Sequence, residues 1–232
     1  MKKIILTTLI TVFVSVWVKA QDNCSSYYPM VEGSTFEYTN YNKKGKVDGV
    51  TNYKVSAVTS EGAATKASLD LKMSDKKGKE IFNSEYSFTC ENNMVKIDYQ
   101  SLFPAQMMKQ YSEMDVEMDI TGTDIELPND LSVGEDLADA NVAIAMNMSG
   151  IKMNISVDQT NRKVIGEEKV STPAGSFDCI VLAETTRTKT MGANMEFNSK
   201  LWLAEGVGMI KQETYKKNGD LMGKTELTKF SK

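Results

Sequence analysis

From Ser34 onward apolar and polar residues alternate with a period of two, and glycine-containing tips interrupt the alternation at short intervals. That period belongs to a strand with one dry face and one wet face, so most of this chain is constrained to β-structure. Three tips share a composition: Asn42-Lys43-Lys44-Gly45-Lys46, Asp75-Lys76-Lys77-Gly78-Lys79 and Lys216-Lys217-Asn218-Gly219-Asp220. In each, glycine supplies the positive φ that a hairpin loop needs and the lysines keep the tip in water. None has the glycine spacing or the following helix of a phosphate loop.

The clearest hairpin runs from Val142 to Val157 and folds at Ser149-Gly150. With those two residues as the loop, Met148 faces Ile151, Met146 faces Met153, Ile144 faces Ile155 and Val142 faces Val157. Every pair on that face is apolar, which pins the register. The same rule predicts strands over 36–41, 53–58, 69–73, 81–90, 94–99, 163–170, 177–185, 195–203, 208–215 and 221–230. Leu127-Pro128-Asn129-Asp130-Leu131 reads as a turn. One segment reads as helix: Pro104 suits a first turn, and Met107, Met108 and Tyr111 recur at three- and four-residue steps. The expectation is a mainly β chain, a single antiparallel, strongly curved sheet or open barrel with one short amphipathic helix. No Pro- or Gly-rich linker divides residues 21–232, which read as one domain.

Residues 1–20 have the layout of a cleaved signal peptide: Lys2 and Lys3, an apolar run from Ile4 to Val18, then Val18-Lys19-Ala20. The apolar run is shorter than the ~20 residues that span a bilayer, and no later segment is more apolar. Gln21-Asp22-Asn23 lack the small apolar character that precedes a lipid-modified cysteine, so a soluble periplasmic or secreted protein is expected. An exported address opens disulfide chemistry to Cys24, Cys90 and Cys179. Cys179 alternates with Phe177 and Val181 as a buried small hydrophobe, whereas a Cys24–Cys90 bridge would pin the N-terminal segment to a strand. Spacing alone leaves the connectivity open.

The chain contains no histidine, which removes Ser-His-Asp and Cys-His catalysis and leaves Cys179 without a base. Loss of Lys2, Lys3 and Lys19 with the signal peptide takes the formal charge from −4 to −7, a poor balance for nucleic acid. Between Gln110 and Ile151 lie ten acidic residues and no basic one. Glu113, Asp115, Glu117 and Asp119 alternate with apolar residues as a solvated strand face, without a calcium loop. A carboxylate-based hydrolase of cell-wall sugars survives the histidine filter, but no spacing singles out a catalytic pair.

Eight of the fifteen methionines fall between Met94 and Met153. They are read as core filling or as the lining of an apolar cavity, with Met107, Met108, Tyr111, Ile144, Met146, Met148 and Met153 as candidate ligand-binding residues. Cu(I) at Met146, Met148 and Met153 is the sharper alternative. No cofactor is expected.

Thr172-Pro173-Ala174-Gly175-Ser176-Phe177-Asp178-Cys179 and Trp202-Leu203-Ala204-Glu205-Gly206-Val207-Gly208-Met209-Ile210-Lys211, with Glu226-Leu227 near the end and Cys24-Ser25-Ser26-Tyr27-Tyr28-Pro29 near the start, resemble the DUF3108-like family of exported proteins of Gram-negative bacteria. The resemblance implies an envelope-associated antiparallel β fold and supplies no catalytic residues. Open-barrel carriers of lipids and lipoproteins are a fold-level analogy for it. The leading expectation is a non-enzymatic exported β-domain that binds a lipid, another apolar ligand or an envelope protein. An adhesion or assembly module working through exposed sheet edges is a further alternative.

Overall fold

The computed structural model describes residues 24–99, 116–148, 150–190 and 192–232. The expected signal peptide and the helix carrying Met107, Met108 and Tyr111 lie outside the described residues. Thirteen strands follow one another: β1 (Thr35–Asn42), β2 (Val47–Glu61), β3 (Ala64–Asp75), β4 (Glu80–Glu91), β5 (Met94–Ile97), β6 (Val116–Gly122), β7 (Ile125–Pro128), β8 (Ala140–Met148), β9 (Ile151–Thr172), β10 (Gly175–Thr190), β11 (Ala193–Ala204), β12 (Gly208–Lys216) and β13 (Leu221–Ser231). They form one antiparallel sheet in the order β6-β8-β9-β10-β11-β12-β13-β1-β2-β3-β4-β5-β7.

The lysine-rich tips are hairpin ends. Gly45, Gly78 and Gly219 have φ of 70°, 82° and 89°, and Asn42 and Asp75 each accept a backbone N–H two residues on, from Lys44 and Lys77. Asn92 and Asn93, both at positive φ, make the two-residue turn between β4 and β5. The Val142–Val157 hairpin has the register read from its apolar pairs, Met148↔Ile151 through Val142↔Val157.

Two expectations are corrected. Residues 127–128 end a short strand, β7, before the chain turns; Pro128 is tolerated because β7 is a terminal strand and its lost donor breaks no further ladder. The two strands expected around 151–157 and 163–170 are one 22-residue strand, β9. Asn161 sits at φ 54° in its middle, where the β9–β10 register shifts between Ala183 and Thr185. The extra residue bends the strand without ending it.

That bulge also sets how the sheet curls. With Asn161 absorbing the extra position, Arg162 is buried at 5% exposure and its Nε lies 3.7 Å from Glu184. Its guanidinium donates to the Ala138 carbonyl at 2.5 Å and to the Glu126 carbonyl on β7 at 3.1 Å. Asp136 bridges to Lys163, and across the same junction the Gly134 and Leu137 N–H groups donate to the Val164 and Arg162 carbonyls while the Val164 N–H donates to the Glu135 carbonyl. The segment after β7 thus meets the middle of β9, and the long sheet closes on itself without a continuous ladder. Strands β6 and β8 and the first half of β9 extend past the junction as a flap.

Alternate positions of the curled part fill its interior. Phe36, Tyr38, Val55, Leu69, Phe88, Val95, Leu127, Leu203, Ile210 and Leu227 belong to one buried cluster. The N-terminal segment is fastened across it by the Cys24–Cys90 disulfide and by Asn129. The Asn129 amide donates to the carbonyl of Cys24 and to Asn93 Oδ1, and its oxygen accepts from the Ser26 N–H.

Candidate functional site

The register of β1 to β4 places Phe36 beside Tyr53, Val55 beside Leu69, Leu69 beside Tyr86 and Ala67 beside Phe88. One face of four consecutive strands is therefore apolar or aromatic. Tyr28 and Pro29 of the N-terminal segment and Val207 and Met209 at the start of β12 come over that face and enclose a cavity of about 140 Å³. Tyr38, Tyr53 and Tyr86 meet edge to face at 5.6 and 5.8 Å, and Tyr28 packs on Phe88 at 5.6 Å, geometries that aromatic quadrupoles favour. The Tyr38 hydroxyl donates to the Met209 carbonyl at 3.0 Å. Burial raises the pKa of Tyr28 to about 12 and also raises those of Tyr38, Tyr53 and Tyr86, so all four phenols stay neutral and the cavity wall carries no charge near pH 7.

Gly208 shapes one side of this cavity. Its φ is 94°, and a Cβ there would lie 3.0 Å from the Tyr28 ring. A glycine in the Trp202–Lys211 motif is thus required by both backbone conformation and the close approach of Tyr28.

The two long motifs meet in a second, larger groove of about 720 Å³, where Phe177, Asp178 and Cys179 face Leu203, Ala204 and Glu205 alongside Tyr27, Glu167 and Glu168. Burial, then Glu205, Glu135 and Glu167, raise the pKa of Tyr27. Cys179 is 3% exposed, and burial with Asp178 and Glu168 pushes its thiol to about 11. A thiol held protonated in this way is no nucleophile at neutral pH. Glu168 instead accepts the Trp202 indole N–H at 2.8 Å, and Lys211 caps the indole ring at 4.2 Å.

The other candidate residues fall on the flap. Ile144 is buried, Met146 and Met153 are half-buried, and Met148 pairs with Ile151; the Met148 side chain is not among those described. The structure joins Ile144, Met146 and Met153 on one face of the flap but leaves them out of the cluster that surrounds the aromatic cavity. Sequence reasoning missed the tyrosines because β2 to β4 show them only as alternate residues of ordinary strands; Tyr28 and Tyr53 are far apart in sequence. It also missed that β6 pairs with β8 so that Met118 lies opposite Met146. Among the described residues there is no cluster of His, Cys, Asp or Glu suited to a metal ion, and no helix is long and apolar enough to cross a membrane.

No curated protein matches the chain. Solved structures share its fold, two of them over nearly the whole chain. A "putative exported protein with YmcC-like fold" from Bacteroides fragilis superposes with a TM-score of 0.69 at 20% identity, covering 90% of this chain and 100% of that one. A "putative lipoprotein" from Parabacteroides distasonis gives 0.70 at 22% identity, covering 89% and 99%. The model of the DUF3108-like family matches residues 31–227, and with the motifs that resemble that family placed around the two grooves, the chain belongs to the DUF3108-like family.

Proposed function

We propose that this protein is a non-enzymatic β-domain of the cell envelope, exported through its N-terminal signal sequence, that holds an apolar ligand against the inner face of its curled sheet. The observation that carries this reading is the uncharged aromatic cavity between β1–β4 and β12. A packed core of this size has few voids larger than a water molecule, whereas a void walled by four neutral tyrosines, two phenylalanines and Met209 suits an alkyl chain or a flat ring. The wall is set on strands, and one side is made by Tyr28 from a segment tethered through Cys24. Ligand entry therefore has a built-in place to occur, where the segment crosses the sheet. The description of the two structural relatives as exported protein and lipoprotein supports the compartment.

The hydrolase alternative has less support. Glycoside hydrolysis needs one carboxyl held protonated next to a second in an open cleft. Among the described residues, the carboxyl whose pKa is raised by burial is Glu184, which lies against Arg162 and not in the carboxylate-lined groove.

Native mass spectrometry of the protein purified from its own envelope tests the reading. A mass adduct that organic solvent extracts, and that Leu69→Phe diminishes by filling the cavity, is the expected result. An adduct-free protein that also fails to take up added fatty acid or aromatic hydrocarbon overturns it.

A further inference from the structure

We propose that the flap carries a soft-metal site, specific for Cu(I) or Ag(I), formed by the thioethers of Met118, Met146 and Met153. The pairings Met118↔Met146 and Met146↔Met153 put the three residues in one lateral row across the consecutive strands β6, β8 and β9. Residues directly opposite one another share a face, with Cβ atoms about 4.5–5.5 Å apart. Each methionine has three rotatable side-chain bonds, so the outer two sulfurs can lean over the central Met146 and meet one ion between them.

The surroundings select the class of ion. The row is flanked on one side by Ile120, Ile144 and Ile155 and on the other by the register positions of Val116, Met148 and Ile151. Neutral sulfur donors between apolar rows offer nothing to calcium, magnesium or zinc, which need oxygen, nitrogen or thiolate, but they suit a monovalent soft cation. All three methionines are half-buried, neither sealed in the core nor fully in solvent. This site is separate from the aromatic cavity and does not depend on an apolar ligand being bound there.

Ag(I) is the probe, because it shares the ligand preference of Cu(I) and needs no reductant that would threaten the Cys24–Cys90 disulfide. The protein, carrying Cys179→Ala so that no thiol competes, is labelled with 13C at its methionine methyls and titrated with silver nitrate in chloride-free buffer. The methyl signals of Met118, Met146 and Met153 are expected to shift together and saturate at one ion per chain. Met118→Leu, Met146→Leu and Met153→Leu, which keep side-chain volume, should each weaken binding by about tenfold or more, while Met195→Leu and Met222→Leu, at exposed positions, leave it unchanged. Shifts that spread over all the methionines without saturation, or equal losses in the exposed-site variants, overturn the proposal.

Discussion

The curled part of the sheet and its flap are built from the same alternation, yet they differ in what the dry face does. In β1 to β4 the inward residues meet a second layer made by the N-terminal segment and the opposing strands, and Val55, Ala67 and Phe88 fall to 3% exposure or less. In the flap, Ile144 and Val142 are buried but belong to no common cluster with the core, Met146 and Met153 stay half-buried, and Ile151 is 55% exposed. Alternation therefore defines a dry face, and only an opposing layer turns it into a core. The junction between the two regimes is Arg162, whose buried charge holds carbonyls of the chain on the far side of the closure.

The sharpest way to break this comparison is at that junction. Arg162→Met leaves Glu184 and two carbonyls without their partner and should cost about 3–5 kcal/mol by chemical denaturation; a loss no greater than that of a surface substitution would mean the closure is held elsewhere. Next, Leu227→Ala, at a position with no exposure, should cost about 3 kcal/mol, whereas Met146→Ala on the flap should cost about 1 kcal/mol or less. Equal losses would show that the flap is part of the core. Replacing both cysteines of the 24–90 bridge by alanine should cost about 3 kcal/mol and loosen the N-terminal segment, seen as faster hydrogen exchange at Ser26 and Tyr28 before any exchange in the flap. Gly208→Ala forces a side chain onto a positive φ and toward the Tyr28 ring; about 1–2 kcal/mol and a loss of cavity binding are expected.

The smallest expected effects are pH dependences. Tyr28, Tyr38, Tyr53 and Tyr86 have folded pKa values raised above the ordinary 10. The stability gained by keeping these phenols neutral is complete below pH 10 and is lost as pH climbs through the raised values, about 12 for Tyr28. Tyr27 and Tyr215 are raised as well, so tyrosinate absorbance should rise late, with that of these four appearing only as the protein unfolds. Glu184 is also raised, by burial that outweighs Arg162. Its contribution is present below the usual carboxylate range and declines as pH rises through the folded value, so Glu184→Gln should flatten the stability profile above about pH 4 without changing the flap.

Much of this architecture was legible in local pattern. The hairpin at Ser149-Gly150 could be paired residue by residue because its apolar positions permit only one register. The lysine-rich tips were legible because a tight turn needs glycine whatever surrounds it. The bend in β9 was not, since Asn161 is an unremarkable polar residue until its φ is known, and neither was β7, whose Pro128 argues for a turn. The candidate site was legible only in part: the Met and Ile of one hairpin were visible as a dry face, but the tyrosine cavity was not, because Tyr28, Tyr38, Tyr53 and Tyr86 come from four separate segments.

Amino-acid order by itself determined that this chain is a β-protein without imidazole chemistry, since period and composition act locally and survive any arrangement of the strands. Tertiary structure alone decided which dry faces face each other. That choice depends on a bulge at Asn161, a buried Arg162 and a disulfide spanning residues 24 and 90, each of which acts between segments whose sequence separation hides their contact.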